Sequence, residues 1–290
     1  MNNRLKGVRE AFNLPILLVV VPTVALGFLA GGSTNILLLL DSLALIVLMS
    51  ISANVINNYA DWDIDIMNRK RNIMHETWRR NELLAFYLIL LVVLFVIAFL
   101  SNASMYLWIT VVLLVILGIC YSITIRLKNI VPLNYIAIAG AYGFLSFYMG
   151  FFASSFSSSK FWLWIPVPLF LFAMDLGYSI TKDYSDVIGD KAYGKKTLPL
   201  VIGKSESVKV QTVIITIAYV FLFLLILFGK LSYAFSVLFL SYLFALYILW
   251  QTRSTDNNKL LRNAHLEAQL NGLLARFIMI TILLLALAEI

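Results

Sequence analysis

Residues 83–101 read Leu-Leu-Ala-Phe-Tyr-Leu-Ile-Leu-Leu-Val-Val-Leu-Phe-Val-Ile-Ala-Phe-Leu-Ser, nineteen residues with no charge, proline or glycine. At 1.5 Å of rise per residue a helix of that length reaches about 28 Å, close to the hydrocarbon thickness of a bilayer. Lipid admits only helices and closed barrels, and a barrel strand would alternate polar and apolar residues, which this run does not. Working outward, eight further apolar runs of similar length occupy 14–30, 37–58, 105–123, 131–152, 161–181, 208–228, 231–250 and 268–288. The pattern predicts an all-α integral membrane protein of nine transmembrane helices forming one domain over residues 1–290.

Composition agrees. Of 290 residues 61% are hydrophobic and 13% charged, and the mean hydropathy is +0.91. Soluble domains carry about 25% charged residues, so these charges are too few to cover a soluble surface. Gly (14), Pro (6) and Cys (1) are too scarce for collagen-like, disordered or disulfide-stapled chains. Cys120, inside an apolar run, is expected to be inert packing.

The net charge of +7 suggests a nucleic-acid partner until the basic residues are placed. Nineteen Lys and Arg fall in the N-terminal tail and the loops after even-numbered spans, against Lys160 and Lys230 on the other side; Arg276 lies within the last span. That split is the positive-inside pattern. It puts the N-terminus and the loops 59–82 and 182–207 in the cytoplasm, and it excludes nucleic acid, since the charges are dispersed over one membrane face. The basic start and first apolar run also fit a signal peptide; its removal would leave the other eight spans oriented as before.

Six of the fifteen acids sit in two strings at the cytoplasmic ends of spans two and six. The first is Asn57-Asn58-Tyr59-Ala60-Asp61-Trp62-Asp63-Ile64-Asp65, the second Lys182-Asp183-Tyr184-Ser185-Asp186-Val187-Ile188-Gly189-Asp190. On continuing helices, spacings of three and four align Asn57, Asp61 and Asp65 on one face and Asp183, Asp186 and Asp190 on another, with Asp63 pointing away. Stacked carboxylates repel by a few tenths of a kcal/mol per pair. Solvated acids at a helix end are commonplace, but two such strings on matching helices call for a cation. A hard ion such as Mg²⁺ is held by one or two carboxylates together with waters and substrate phosphates, so the strings predict a Mg²⁺-bridged diphosphate, with neighbouring Lys and Arg on the remaining oxygens. Tyr59 and Trp62 are expected to be interface aromatics, and His75 and His265 to face solvent. P-loop, GxGxxG, HExxH, GxSxG and cysteine metal motifs are absent from the sequence.

These residues resemble the UbiA superfamily of intramembrane prenyltransferases. Asn57-x-x-x-Asp61-x-x-x-Asp65 followed by Asn68-Arg69 is similar to its first aspartate motif. Lys182-Asp183-x-x-Asp186-x-x-Gly189-Asp190, then Gly194-x-x-Thr197-Leu198-Pro199-x-x-x-Gly203, is similar to its second. Tyr121-Ser122, Leu127-Lys128 and Asn134 resemble a third stretch, and Arg9 stands where members often have Arg-Pro, here followed by Glu10. The resemblance implies nine helices around a central cavity that holds Mg²⁺ and a prenyl diphosphate at its cytoplasmic mouth. Carried over, Asp61, Asp65, Asp183 and Asp186 would hold metal, and Asn57 would join the first side. Lys128, Arg69, Lys182 and Arg9 are candidates for the diphosphate, Asp190 matches a family aspartate that also fits a loop-shaping role, and Tyr121 would line the pocket near the allylic carbon.

Chemically, pyrophosphate leaves an allylic carbon, Mg²⁺ and basic side chains meet its charge, and aromatic faces stabilise the cation; the 40 aromatic residues give the cavity ample choice of such faces. The implied acceptor is hydrophobic or aromatic. The second string resembles most the branch that includes both glyceryl-lipid and homogentisate prenyltransferases, while the N-terminal segment resembles menaquinone-pathway enzymes more; on the second string alone geranylgeranylglyceryl phosphate is the expected acceptor, with hydroxybenzoate, homogentisate and dihydroxynaphthoate as alternatives. Ser179 stands where that lipid branch often has Glu. Other classes compatible with the layout are a cation transporter, which should carry polar breaks at the midplane, and a terpene cyclase using the same ionisation. Asp175, eight residues before Asp183, would lie about two turns deeper on nearly the same face of a continuous helix. There it would either contact an acceptor hydroxyl or pack as a neutral carboxyl.

Overall fold

The structure, a computed structural model, describes residues 3–63, 73–101, 103–154, 157–192 and 194–288. Among them nine helices are long and apolar enough to cross a membrane: Leu14–Gly31, Ile36–Ala60, Arg80–Leu100, Met105–Ser122, Leu133–Ser154, Ser158–Val187, Lys204–Leu227, Tyr233–Ser254 and Asn258–Ala288. They are spans 1 to 9 below, and each coincides with an expected apolar run. Span 9 starts at Asn258 rather than at residue 268, because Asn257 Oδ1 accepts the Lys259 N–H (2.9 Å) and caps a polar extension of the helix. The helices of spans 2 and 4 begin the same way, on the side chains of Asn35 and Ser104.

Outward faces are as apolar as inward ones. Phe99, Leu100, Val213 and Leu240 are more than half exposed, which suits lipid contact rather than water. Span 1 runs through the middle of the bundle, packed on spans 2, 5 and 9; span 2 also meets spans 3 and 4, and spans 5 to 9 pack in succession along the chain. Spans 1 and 5 touch backbone to backbone. A methyl group added to Gly27 would collide with the Phe147 carbonyl, and one added to Gly150 with the Val24 carbonyl, the small-residue approach expected where lipid offers no hydrophobic drive.

Two irregularities shape the interior. Span 5 contains a π-helical turn at Gly140–Leu145, where Ser146 Oγ donates to the Ala141 carbonyl (2.7 Å); such turns commonly mark functional sites. Span 6 passes through a one-residue turn at Ile180, whose backbone stays right-handed helical (φ −72°, ψ −29°). Its helix Pro166–Ser179 ends at Ile180, and the second acidic string forms the next helix, Thr181–Ala192, packed against span 9. Asp175 and Asp183 thus lie on either side of this turn, Asp175 lining the cavity and Asp183 buried. On the far side of the cavity wall, Asn271 donates to Tyr178 Oη (2.7 Å) and the Ser241 carbonyl (2.8 Å) and accepts from Ser241 Oγ (2.8 Å). This satisfied buried network pins spans 6, 8 and 9 together.

Candidate active site

Span 2 ends at Ala60 and Asp61 is its cap, the Asp61 N–H still donating to the Asn57 carbonyl at 3.0 Å. Asn57 and Asp61 thus stay on one side, and Trp62 and Asp63 are helical again beyond the cap. Asp65, Asn68 and Arg69 lie outside the described residues. Asp63 points away as predicted and pairs with Arg80 (3.0 Å). The Arg80 guanidinium also lies 5.1 Å above the Tyr59 ring, so Tyr59 is a cation platform.

Lys128 closes the first half of the site. It sits on the short 3₁₀ turn Leu127–Asn129 between spans 4 and 5. Its Nζ donates to Asn57 Oδ1 (2.9 Å) and Asp61 Oδ1 (2.7 Å), with the Lys128 side chain 9% and the Asp61 side chain 17% exposed. Burial pushes the ammonium below the ordinary lysine value, and the Asp61 carboxylate opposes that shift. Arg126 donates to the Ala60 carbonyl (3.2 Å) and lies 3.9 Å from Asp61.

The helix Thr181–Ala192 supplies the second half. Its three acids do different things. Asp183 is buried and accepts a 2.5 Å hydrogen bond from Tyr135 Oη, which itself accepts the Leu198 N–H at 2.9 Å. Asp186 is half-buried and accepts from Ser185 Oγ (3.1 Å). Asp190 turns to Lys195 (3.0 Å) and so braces the loop that follows. Tyr121, at the end of span 4, lies within electrostatic reach of Asp61, Lys182, Asp183 and Lys195, which places it between the halves. Arg9 is exposed on the N-terminal helix Asn3–Ala11, which packs on Ile73–Thr77, and it is not among the residues lining the cavity. The structure does not bring it to the site.

Beneath this mouth lies a cavity of about 550 Å³ lined by Asn57, Tyr121 and Lys182 near its opening and by Val19, Ile46 and Leu114 among many apolar residues. Its aromatic lining is limited to Tyr121, Tyr142 and Tyr178. Of the many aromatic residues available, Phe147, Tyr148, Phe151, Phe152 and Phe161 stack on one another within the bundle. Tyr142 is on the π turn and Tyr135 precedes it; neither was singled out from sequence, although Asn134 marked the segment.

Asp175 also lines the cavity, where it is paired rather than isolated. Arg276 Nη2 donates to Asp175 Oδ2 at 2.6 Å, with further bonds to Thr23 Oγ1 (2.5 Å) and the Gly272 carbonyl (3.0 Å). Arg276 is fully buried and retains its proton, so Asp175 is its partner in a buried pair. His265 is a correction: it is half-buried and lines the cavity instead of facing solvent. The side chain of His75 lies outside the described residues.

Among the described residues no three His, Cys, Asp or Glu side chains converge to hold a metal ion unaided. Mg²⁺ requires less, because it keeps waters and shares itself with phosphate oxygens. The donors present are oxygens only, Asn57 and Asp61 on one side and Asp183 and Asp186 on the other. The Lys128 ammonium already rests between Asn57 and Asp61, so the pocket accommodates a cation. The donor set fits Mg²⁺.

Fold and site together define a polytopic helical-bundle protein with an acidic and basic mouth above an apolar intramembrane cavity. Residues 19–273 match the UbiA prenyltransferase family, and the chain belongs to that family. It is 30% identical over 193 residues to digeranylgeranylglyceryl phosphate synthase of Thermococcus sibiricus, an alignment spanning 66% of this chain and 64% of that relative's length. A solved structure from work on digeranylgeranylglyceryl phosphate synthase in membranes superposes with a TM-score of 0.71 at 21% identity, covering 96% of this chain and 98% of the other. A UbiA homologue from Archaeoglobus fulgidus bound to DMAPP and Mg²⁺ gives a TM-score of 0.72 at 17% identity, covering 97% and 99%. These structural likenesses establish the fold.

Proposed function

We propose that this chain transfers a prenyl group from a prenyl diphosphate to a lipid-like acceptor with Mg²⁺ as cofactor, and that the acceptor is geranylgeranylglyceryl phosphate. The observation that carries this reading is the Asn57–Lys128–Asp61 cluster beside Asp183 and Asp186 at the mouth of an apolar cavity. The named Thermococcus relative, the DMAPP and Mg²⁺ bound by the Archaeoglobus homologue, and the second-motif string support it.

When bound, Mg²⁺ supplies charge neutralisation for the departing pyrophosphate. The chain's own residues do the rest. Asn57, Asp61, Asp183 and Asp186 hold the cation side of the diphosphate, Tyr135 fixing the Asp183 carboxylate. Lys128 and Lys182 meet phosphate oxygens as charge grows on them, and Arg69 is proposed to join them. Tyr121, with Tyr142 below it, offers an aromatic face to the allylic carbon. The cavity walls keep water from the cation and receive the prenyl chain. With the mouth on the cytoplasmic face, as the distribution of Lys and Arg indicates, a water-soluble diphosphate head and a membrane-borne tail reach the site together.

The test is incubation of the purified protein with geranylgeranyl diphosphate, Mg²⁺ and, separately, geranylgeranylglyceryl phosphate, hydroxybenzoate, homogentisate and dihydroxynaphthoate. An ether product with the glyceryl lipid in clear excess over the other three is expected. Transfer to an aromatic acceptor alone would overturn the acceptor assignment, and release of a cyclised hydrocarbon without acceptor would overturn transfer itself.

A further inference from the structure

Ether formation at a hydroxyl leaves one proton to be removed, and the cavity has few groups able to take it. Lys182 is an ammonium, Tyr121, Tyr142 and Tyr178 are weak acids, and Asp175 is held by Arg276. His265 remains.

Its hydrogen bonds fix the tautomer. Thr181 Oγ1 has one proton, donated to the Tyr178 carbonyl at 2.5 Å. The 3.0 Å contact between Thr181 Oγ1 and His265 Nδ1 therefore has the imidazole Nδ1–H donating to the hydroxyl. Nε2 is left as the lone-pair nitrogen, and it accepts from the Gln269 amide at 3.2 Å. His265 and Gln269, one turn apart on span 9, both line the cavity, as does Lys182 across from them. Lys182 and Asp186 are the charged groups that act on the ring. The imidazole is thus oriented by a buried threonine on the same helix as the second acidic string, and its lone-pair nitrogen meets Gln269, a second residue of the cavity lining.

We propose that His265 is the general base for the acceptor hydroxyl, with Thr181 as its positioning residue; this rests on the hydroxyl-bearing acceptor proposed above. The acceptor hydroxyl displaces the Gln269 amide from Nε2. Its oxygen forms the new bond to the allylic carbon while the bond from that carbon to the diphosphate oxygen breaks. The bonding pair leaves with pyrophosphate, the hydroxyl proton passes to Nε2, and the imidazolium later returns it to water.

The experiment uses the full chain, Mg²⁺, geranylgeranyl diphosphate and geranylgeranylglyceryl phosphate. Wild type is measured first: absence of ether product there would overturn the acceptor reading, independently of any variant. With product established, His265→Gln should keep thermal stability and the KM for geranylgeranyl diphosphate while kcat falls about 100-fold, a usual contribution of a general base. His265→Ala should fall similarly and regain at least about tenfold with added imidazole. Thr181→Val should lose about tenfold, and Thr181→Ser should stay near wild type. A His265→Gln kcat within about threefold of wild type would overturn the base assignment. So would a His265→Ala deficit that imidazole leaves unchanged, or an equal loss of acceptor-independent pyrophosphate release.

Discussion

At the residue scale the buried ion pair makes the sharpest stability prediction. Removing one partner of a buried pair leaves an uncompensated charge and typically costs about 3–5 kcal/mol, whereas replacing both with similarly sized neutral groups is often close to neutral. Arg276→Met should therefore strongly lower the thermal midpoint in detergent, and Asp175→Asn combined with Arg276→Met should recover most of the loss. A double variant as unstable as Arg276→Met alone would contradict the pairing. Tyr135→Phe removes one hydrogen bond to Asp183 and another from Leu198, so it should cost about 1–3 kcal/mol. It should also slow prenyl transfer, because Asp183 loses its orientation; unchanged turnover would detach Tyr135 from the site. The acids were legible in the sequence because charge is conspicuous in an apolar chain. Arg276 was equally conspicuous, but it meets Asp175 across 101 residues, and spacing carries no information about which helices become neighbours.

At the element scale, hydropathy located the nine spans but not what happens inside them. The π turn in span 5 and the turn at Ile180 arise from how the helices pack around the cavity, and neither leaves a periodic trace in residues that are apolar on all sides. The turn at Ile180 leads into the helix Thr181–Ala192 that carries Asp183 and Asp186 and sets Thr181 against His265. His265 was misplaced for the same reason: the polar stretch from Asn258 looks like loop, yet it continues span 9 as helix. The contact of span 1 with span 5 is tightly specified. Gly27→Val or Gly150→Val would drive a side chain into the facing backbone, and overpacking of that kind costs about 1–3 kcal/mol or more. Loss of folded protein from membranes, read by fluorescence-detected gel filtration, is the expected outcome. Wild-type yield and midpoint in both variants would mean that the helices are farther apart.

At the scale of the whole molecule the central claim is that two separate chain segments form one cation-dependent diphosphate site on one membrane face. Topology is the first consequence. Cysteines introduced within 73–80 and 195–206 of a Cys120→Ala background should label from the cytoplasmic side, and one at Ser158 from the outside. Opposite labelling of the first two would separate the halves of the site. The most direct measurement is a Mg²⁺ titration of prenyl transfer in wild type, Asp61→Asn and Asp186→Asn. Asp186 is half-buried, so Asp186→Asn should unfold within a few degrees of wild type, whereas Asp61→Asn also removes the counterion of the largely buried Lys128 ammonium and should unfold earlier, so its turnover is read well below its midpoint. Wild type should fall to background in excess chelator and recover with Mg²⁺, while both variants should lose at least about 100-fold in turnover at every Mg²⁺ concentration. Full activity in either variant, or wild-type turnover that persists in chelator, would contradict the site described here.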